Sequence, residues 1–237
     1  MQSERPSETS VGTEPSNELG GEAFPEPTFV IEPLEDNSFD RTQHSLRDPQ
    51  SIWFIANKKL PFEPKNYVPK DLIVPAGVPN RPGEPLQAIA AEALKKLYAD
   101  AYADGIRMRL ISAYRSYNTQ VSLYNRYVVR DGQAAADTYS ARPGHSEHQT
   151  GLVVDFDEFG NCYLVSCFEG TASGKWLQAN AYKYGFTLRY LKGKESITGY
   201  IYEPWHYRYV GPELAAELQG KNLTLEEFFE LPAAGKY

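Results

Sequence analysis

About 45 residues at the start of the chain contain few large apolar side chains and many Glu, Ser, Pro, Thr and Gly residues. A segment of this composition cannot bury enough apolar area to offset the entropy that it loses on ordering. Residues 1–50 hold eleven acidic and three basic side chains, which gives them a net charge of −8. We therefore predict a disordered acidic tether over residues 1–50 and one folded domain over residues 51–237.

The predicted folded domain is close to neutral, with a net charge of +1 out of −7 for the whole chain. It has no basic stripe, so we expect no nucleic-acid partner. The sequence has no run of about 18 apolar residues, so no transmembrane segment is expected. No signal peptide is visible. The start of the sequence fits either a cytoplasmic protein or a chain whose export signal or anchor has been removed. We expect a monomer.

Helical spacing and short apolar stretches alternate irregularly along the folded part. Seven prolines between residues 56 and 85 indicate an extended, wrapping loop before the first helix. No regular β-α-β rhythm is present, which favours an α+β fold with a central antiparallel sheet and flanking helices. The predicted helices are Leu86 to about Asp104, Thr119 to Arg130, Lys175 to Tyr184 and two short ones near the C-terminus. The predicted strands are 106–111, Leu152 to Phe156, Phe186 to Tyr190 and Tyr207 to Val210.

The chain has two cysteines, Cys162 and Cys167. Their spacing is not that of a zinc knuckle or a thioredoxin-like site. On a regular strand an odd offset would point them to opposite faces, so a disulfide requires a bend between them. The sequence therefore does not decide whether the two cysteines form a disulfide.

The first group of candidate functional residues consists of His148 and Asp155. Asp155 interrupts an apolar strand, and a buried carboxylate there is costly unless it is paired or binds a metal ion. A structural, hydrogen-bonded aspartate is the alternative. His148 lies seven residues upstream in a polar loop. A loop ligand and a strand ligand together make half of an ordinary zinc site.

The second group is Glu203 and His206, which stand among aromatic residues. His206 alone would be read as a core histidine. Glu203 is an acid with apolar neighbours, and Pro204 breaks a regular ladder, so that both side chains can face one cavity. Two histidines and one carboxylate leave a zinc position open for water, and a second carboxylate beside them is the expected general base.

The third group is Arg115, in the stretch SAYRSYNTQ between a predicted strand and a predicted helix. Its guanidinium could bind a carboxylate or stabilise an oxyanion. A surface salt bridge is the alternative for a single arginine.

Together the three groups resemble the VanY-type D-alanyl-D-alanine carboxypeptidases and the related L,D-carboxypeptidases that trim tetrapeptide stems. The resemblance covers roughly residues 85–230, and its core is the composite SxHxxGxxxD followed by ExxH. The matching stretches are SAYRSYNTQ, YSARPGHSEHQTGLVVDF, GKWLQANAYKYGFTLRYLKGKE and TGYIYEPWHYRYVG.

The resemblance implies one zinc ion per chain, bound by His148, Asp155 and His206 in a cleft on the sheet, with Glu203 as the catalytic base. By the same resemblance, the partner is a peptidoglycan stem peptide that ends in D-alanine. Such a substrate implies that the enzyme works outside the cytoplasmic membrane, in the bacterial cell envelope. The acidic N-terminal segment would then be a tether from an anchor that this sequence lacks.

The resemblance also implies residues that contact the substrate. Arg115 matches the family arginine that contacts the substrate carbonyl or carboxylate, and Gln120 and Ser146 fall where the family contacts the terminal D-residue. The expected activity is removal of C-terminal D-alanine, as in a D-alanyl-D-alanine carboxypeptidase. An L,D-carboxypeptidase that acts on tetrapeptides is the main alternative. A non-haem iron enzyme and a non-catalytic wall-binding module are the other two.

Overall fold

The computed structural model describes residues 39–80 and 83–237. Most of the predicted tether, residues 1–38, lies outside the described residues. The strands are β1 Leu72–Ile73, β2 Leu86–Gln87, β3 Arg109–Ser112, β4 Val153–Asp157, β5 Phe186–Leu188 and β6 His206–Tyr209. The α-helices are α1 Ala88–Ala103, α2 Tyr117–Asp131, α3 Gln133–Tyr139, α4 Ala172–Asn180, α5 Glu195–Thr198, α6 Pro212–Leu218 and α7 Leu225–Phe228. Single 3-10 turns cover Glu147–Thr150, Ser166–Gly170 and Ala181–Tyr184.

Four strands form the main sheet in the order β3-β4-β6-β5, and every neighbouring pair is antiparallel. This confirms the predicted antiparallel sheet. The register places Asp155 opposite His206 on one side and opposite Ser112 on the other. The β3–β4 pairing is irregular between Leu110 and Ser112, and such a bulge redirects the side chains that follow it. The sheet therefore brings three separate parts of the sequence to one point.

The longest helix, α1, follows the apolar periodicity that the sequence shows. Its inward face buries Ala90, Leu94, Leu97 and Ala101, which join Phe156 of the sheet in the largest apolar cluster. Each fully buried leucine contributes roughly 1.5–3 kcal/mol relative to an exposed one. This packing supports the two central strands, β4 and β6, which carry Asp155 and His206.

Most of the predicted elements are present, but several bounds differ. Leu86 and Gln87, predicted as the start of the first helix, form β2 and pair with β1 before α1 begins. The predicted strand 106–111 is observed as Arg109–Ser112. The predicted helix Thr119–Arg130 starts earlier, because the Ser116 side chain accepts a hydrogen bond from the Thr119 backbone and caps α2. The predicted helix Lys175–Tyr184 begins at Ala172, after the Thr171 cap, and is replaced by a 3-10 turn after Asn180. The helices α3 and α5 were not predicted. They are short and lack a full apolar period.

Residues 39–50 fall within the predicted tether, but they pack on the folded part. The Phe39 ring lies 5.6 Å from that of Trp53 and 5.5 Å from that of Phe228. Arg47 donates hydrogen bonds to the backbone oxygens of Ile55 and Pro61. The packed part therefore begins before the predicted boundary, because these few apolar and cationic side chains find partners in the C-terminal helices and the wrapping loop.

Cys162 and Cys167 form a disulfide, with Cα atoms 5.5 Å apart. The required bend lies at Leu164, whose φ of 51° is in the left-handed region. Among the described residues, no helix has both the length and the apolar character needed to cross a membrane.

Candidate metal centre

Three side chains that could bind a metal ion converge at one end of the main sheet. His148 comes from the 3-10 turn Glu147–Thr150, Asp155 from β4 and His206 from β6. One nitrogen or oxygen atom of each lies within 4.8 Å of the others, and all three residues are buried. Their pairing across the sheet follows from the antiparallel register, in which Asp155 and His206 are direct partners. The sheet therefore holds the site together.

The orientation of His148 is set by its backbone surroundings. Its Nδ1 lies 2.7 Å from the Ala113 carbonyl oxygen, which can only accept, so Nδ1 carries the proton. This leaves Nε2 facing Asp155, at 3.3 Å from Oδ2. Gly151 ends the turn with a φ of 69°, and a Cβ there would lie 2.9 Å from the Leu72 side chain. A glycine at this position lets the chain reverse from His148 into β4.

The carboxylate of Asp155 lies between the two histidines. Its Oδ1 is 3.2 Å from His206 Nδ1, yet this buried oxygen has no hydrogen-bond partner with good geometry in the described part of the chain. Burial alone would raise the pKa of Asp155, but the neighbouring His148 and His206 outweigh it and hold the pKa well below its usual value. The aspartate is therefore ionised, as a metal ligand must be.

Glu203 stands beside this group without belonging to it. Its Oε2 lies 3.3 Å from His206 Nδ1, and the turn through Pro204 is closed by a hydrogen bond from the His206 backbone N–H to the Glu203 carbonyl oxygen. Both side chains face one cavity, as predicted from the position of Pro204. Burial raises the pKa of Glu203 above its usual value, although His206 opposes the shift. For His206, burial lowers the pKa, but Asp155 and Glu203 outweigh it and raise the pKa to about 9.

Of the predicted substrate contacts, Arg115 and Ser146 line this cavity. The Arg115 guanidinium donates hydrogen bonds to Ser112 Oγ at 2.8 Å and to Gln120 Oε1 at 3.0 Å. Gln120 is buried and is not among the described residues that line the cavity. Its Nε2 donates to the Ala141 carbonyl oxygen at 2.6 Å. The structure thus places Gln120 behind Arg115, as a support for its guanidinium.

The cavity has a volume of about 400 Å³ and contains residues to which the sequence assigned no role. The Tyr190 ring lies 4.7 Å from the His206 ring. Leu164, from the disulfide loop, and Trp205 add apolar surface. Tyr190 and Trp205 lie in stretches that the family resemblance already matched, which is the signal that could have identified them. Leu164 lies outside those stretches.

A second group that the sequence did not reveal is a buried charge cluster behind the metal centre. Arg189 Nε donates to Glu147 Oε1 at 2.9 Å, and its two terminal nitrogens donate to Glu226 at 2.8 and 2.7 Å. Arg208 Nη1 lies 3.2 Å from the same Glu147 oxygen. All four side chains are almost fully buried. Because Glu147 immediately precedes His148, the cluster connects the C-terminal helix α7 to the turn that carries this histidine.

Comparison with known sequences identifies the family. The sequence model of the VanY family, described as D-alanyl-D-alanine carboxypeptidase, matches residues 83–212. A Bacillus subtilis (strain 168) protein named as a carboxypeptidase, YodJ, is 43% identical over 192 residues, which cover 78% of this chain and 70% of that protein.

Solved structures give the same result. The LdcB LD-carboxypeptidase superposes with a TM-score of 0.72 at 43% identity and covers 78% of this chain and 88% of its own. A mutant of the vancomycin resistance D,D-pentapeptidase VanY, in complex with Zn(II), gives a TM-score of 0.62 at 33% identity and covers 73% and 96%. The family model spans more than half of the chain, and it includes all three converging residues and Glu203. The chain therefore belongs to the VanY family of D-alanyl-D-alanine carboxypeptidases.

Proposed function

We propose that this chain is a zinc-dependent carboxypeptidase that removes the C-terminal D-alanine from peptidoglycan stem peptides. The observation that carries the proposal is the convergence of His148, Asp155, His206 and Glu203 on one buried cavity. The named activities of the family and of its solved members support it.

The donor set fits a single zinc ion held by His148, Asp155 and His206. Two imidazoles and a carboxylate are the ligands of a catalytic zinc site with an open position. Asp155 Oδ1, which has no hydrogen-bond partner among the described residues, and the fixed tautomer of His148 are what such a site requires. When bound, zinc would act as a Lewis acid and make water nucleophilic near neutral pH.

Glu203 is positioned to move the proton. Its carboxylate reaches into the cavity beside His206 without being one of the three converging ligands. It takes a proton from the attacking water and delivers it to the nitrogen of the departing D-alanine. Replacement of Glu203 should therefore lower kcat by about 10²–10⁴-fold while the metal ligands remain.

Arg115 and Ser146 bind the substrate end. Arg115 uses one N–H for Ser112 and one for Gln120, which leaves further guanidinium donors for the cavity. These donors stabilise the negative charge that develops on the scissile carbonyl oxygen. Ser146 lies at the start of the His148 turn and provides a hydroxyl for the terminal carboxylate. Gln120 acts on the substrate indirectly, because its side chain accepts a hydrogen bond from Arg115 and holds that guanidinium in place.

An L,D-carboxypeptidase is the second candidate, because the LdcB enzyme is more similar to this chain than the VanY D,D-pentapeptidase is, by both identity and TM-score. A D,D-enzyme removes the fifth residue of a pentapeptide, whereas an L,D-enzyme removes the fourth of a tetrapeptide. Free D-alanine should be measured after incubation with each peptide separately. Release from either peptide supports the proposal, and the peptide cleaved defines the class. No release from either would refute it.

Two other functions fit less well. A non-haem iron oxygenase requires two histidines and one carboxylate but has no use for Glu203. A wall-binding module without activity has no need of a complete ligand set together with Glu203. Metal analysis of protein purified without added metal distinguishes zinc from iron.

We also propose that residues 39–237 act as a monomeric catalytic domain outside the cytoplasmic membrane, preceded by an acidic tether from an anchor. The Cys162–Cys167 disulfide supports this location, because disulfides persist in oxidising compartments. Cell fractionation tests the location, and size-exclusion chromatography tests the oligomeric state. Recovery of the native protein in the cytosol with free thiols would contradict this assignment.

A further inference from the structure

The disulfide loop lies directly after β4, the strand that carries Asp155. The bond between Cys162 and Cys167 closes residues 163–166 into a small ring. None of these residues belongs to the stretches on which the resemblance to the family rests. The loop is therefore a feature of this chain that the proposed chemistry does not by itself explain.

One side chain of the loop reaches the metal cavity. Leu164 lines the cavity together with Trp205 and His206 and also packs on the main apolar cluster. Its neighbours Tyr163 and Val165 are 46% and 45% exposed, and neither is among the described residues that line the cavity. The loop thus turns one apolar side chain inward and its two neighbours outward.

This inward position depends on an unfavourable backbone conformation. Leu164 has a φ of 51°, in the left-handed region that L-residues other than glycine, asparagine and aspartate rarely adopt. Such a conformation persists where the surroundings impose it. The short disulfide ring limits the conformations that the loop can reach, so it holds Leu164 in place.

Both ends of the loop are anchored without the disulfide. On the β4 side, Asp157 accepts a hydrogen bond from Arg109, and Glu158 accepts one from the Ser173 backbone N–H. On the other side, the Phe168 side chain is fully buried. Loss of the disulfide therefore frees the loop tip and leaves the sheet and the metal ligands where they are.

We propose that this disulfide-closed loop is a wall of the substrate site and that Leu164 is a specificity-determining residue. Its side chain packs against methyl or methylene groups of the stem peptide, in the same cavity in which Arg115 makes polar contacts. The inference rests on the proposed function, since it names a substrate contact of the same site.

The test compares steady-state KM and kcat for D-alanine release by the zinc-loaded protein. Leu164→Ala and Leu164→Gly both remove the apolar contact, and the glycine variant also relieves the backbone strain. We expect KM to rise about fivefold to tenfold in both variants, because each substitution removes a few methyl and methylene groups from an apolar contact with the substrate. The kcat value and the bound zinc should stay near wild type. Val165→Ala, which shortens the next and outward-facing side chain, is the matched control and should leave KM unchanged.

The disulfide is tested by the double variant Cys162→Ser/Cys167→Ser, alone and combined with Leu164→Ala. If the bond acts through Leu164, the double variant raises KM by a similar factor, and the combination adds less than about twofold, as expected for coupled residues. Active wild-type protein with an unchanged KM in the Leu164 variants, or full additivity in the combination, would overturn the inference alone. Wild-type protein that cleaves neither the pentapeptide nor the tetrapeptide would overturn the proposed function, and the inference with it.

Discussion

Glu226 of α7 provides a test of the buried charge cluster whose size can be worked from the structure. Its two oxygens accept hydrogen bonds from Arg189 at 2.7 and 2.8 Å, and one of them also accepts from Asn57 at 3.0 Å. Glutamine has nearly the same shape but is neutral and offers one acceptor oxygen. In Glu226→Gln, Arg189 therefore loses half of its charge pairing in an almost fully buried position.

Removal of one partner from a buried ion pair costs about 3–5 kcal/mol. In a domain of about 200 residues, each kcal/mol lowers the melting temperature by about 2–4 °C. We therefore expect Glu226→Gln to melt about 6–20 °C below the wild type, measured by calorimetry at pH 7 in the presence of zinc.

The matched control is Glu217→Gln, which removes a glutamate of α6 that pairs with Lys221. Both partners there are partly exposed, so the pair contributes at most about 1 kcal/mol. The control should therefore melt within about 4 °C of the wild type. A Glu226→Gln variant that melts as close to the wild type as the control does would refute the assignment of this cluster to stability.

The same variant has a defined pH dependence. Burial by itself raises the pKa of Glu226, but Arg189 and Asn57 outweigh it and leave the pKa below its usual value. A carboxylate with a lowered folded-state pKa contributes stability above its unfolded pKa of about 4.3, and this is lost as the pH falls through the folded value. The difference in melting temperature between wild type and Glu226→Gln should therefore stay constant from neutral pH down to about 5 and become smaller in stronger acid. A difference that widens in acid would contradict this account.

The remaining predictions concern the metal centre. Glu203→Gln should keep stoichiometric zinc but lose about 10²–10⁴-fold in kcat, because it removes the general base; a near-wild-type rate would exclude that role. His206→Ala should lose zinc and activity together, while His145→Ala, whose Nδ1 contacts the Asn57 carbonyl oxygen, should keep both; metal analysis separates the two. Arg115→Ala should lose about 10²–10³-fold in kcat with zinc retained, and an effect on KM alone would instead assign Arg115 to ground-state binding.

The sequence predicts the elements that rest on local pattern. Apolar periodicity predicts α1. The short apolar strand that Asp155 interrupts is also predicted, and the structure shows it as β4. The pairing of Asp155 with His206 is a matter of strand register, which a single sequence leaves open. The family resemblance nevertheless grouped His148, Asp155 and His206, and the structure brings these three side chains together.

Long-range partnerships could not be predicted. Nothing near Glu226 in sequence indicates that it pairs with Arg189, since the two residues belong to different elements and meet only in the folded chain. The same holds for the hydrogen bond from Gln120 Nε2 to the Ala141 carbonyl oxygen, 21 residues further along the chain. The sequence did not decide whether the disulfide forms, because the bend at Leu164 uses a backbone conformation that leucine rarely adopts.

The dependence of D-alanine release on zinc bound by His148, Asp155 and His206 tests the central claim most directly. Protein treated with a chelator and then dialysed should release no D-alanine from either stem peptide. Addition of one equivalent of zinc should restore the full rate, and further zinc should add nothing. Full release by protein that metal analysis shows to be free of zinc would contradict the account.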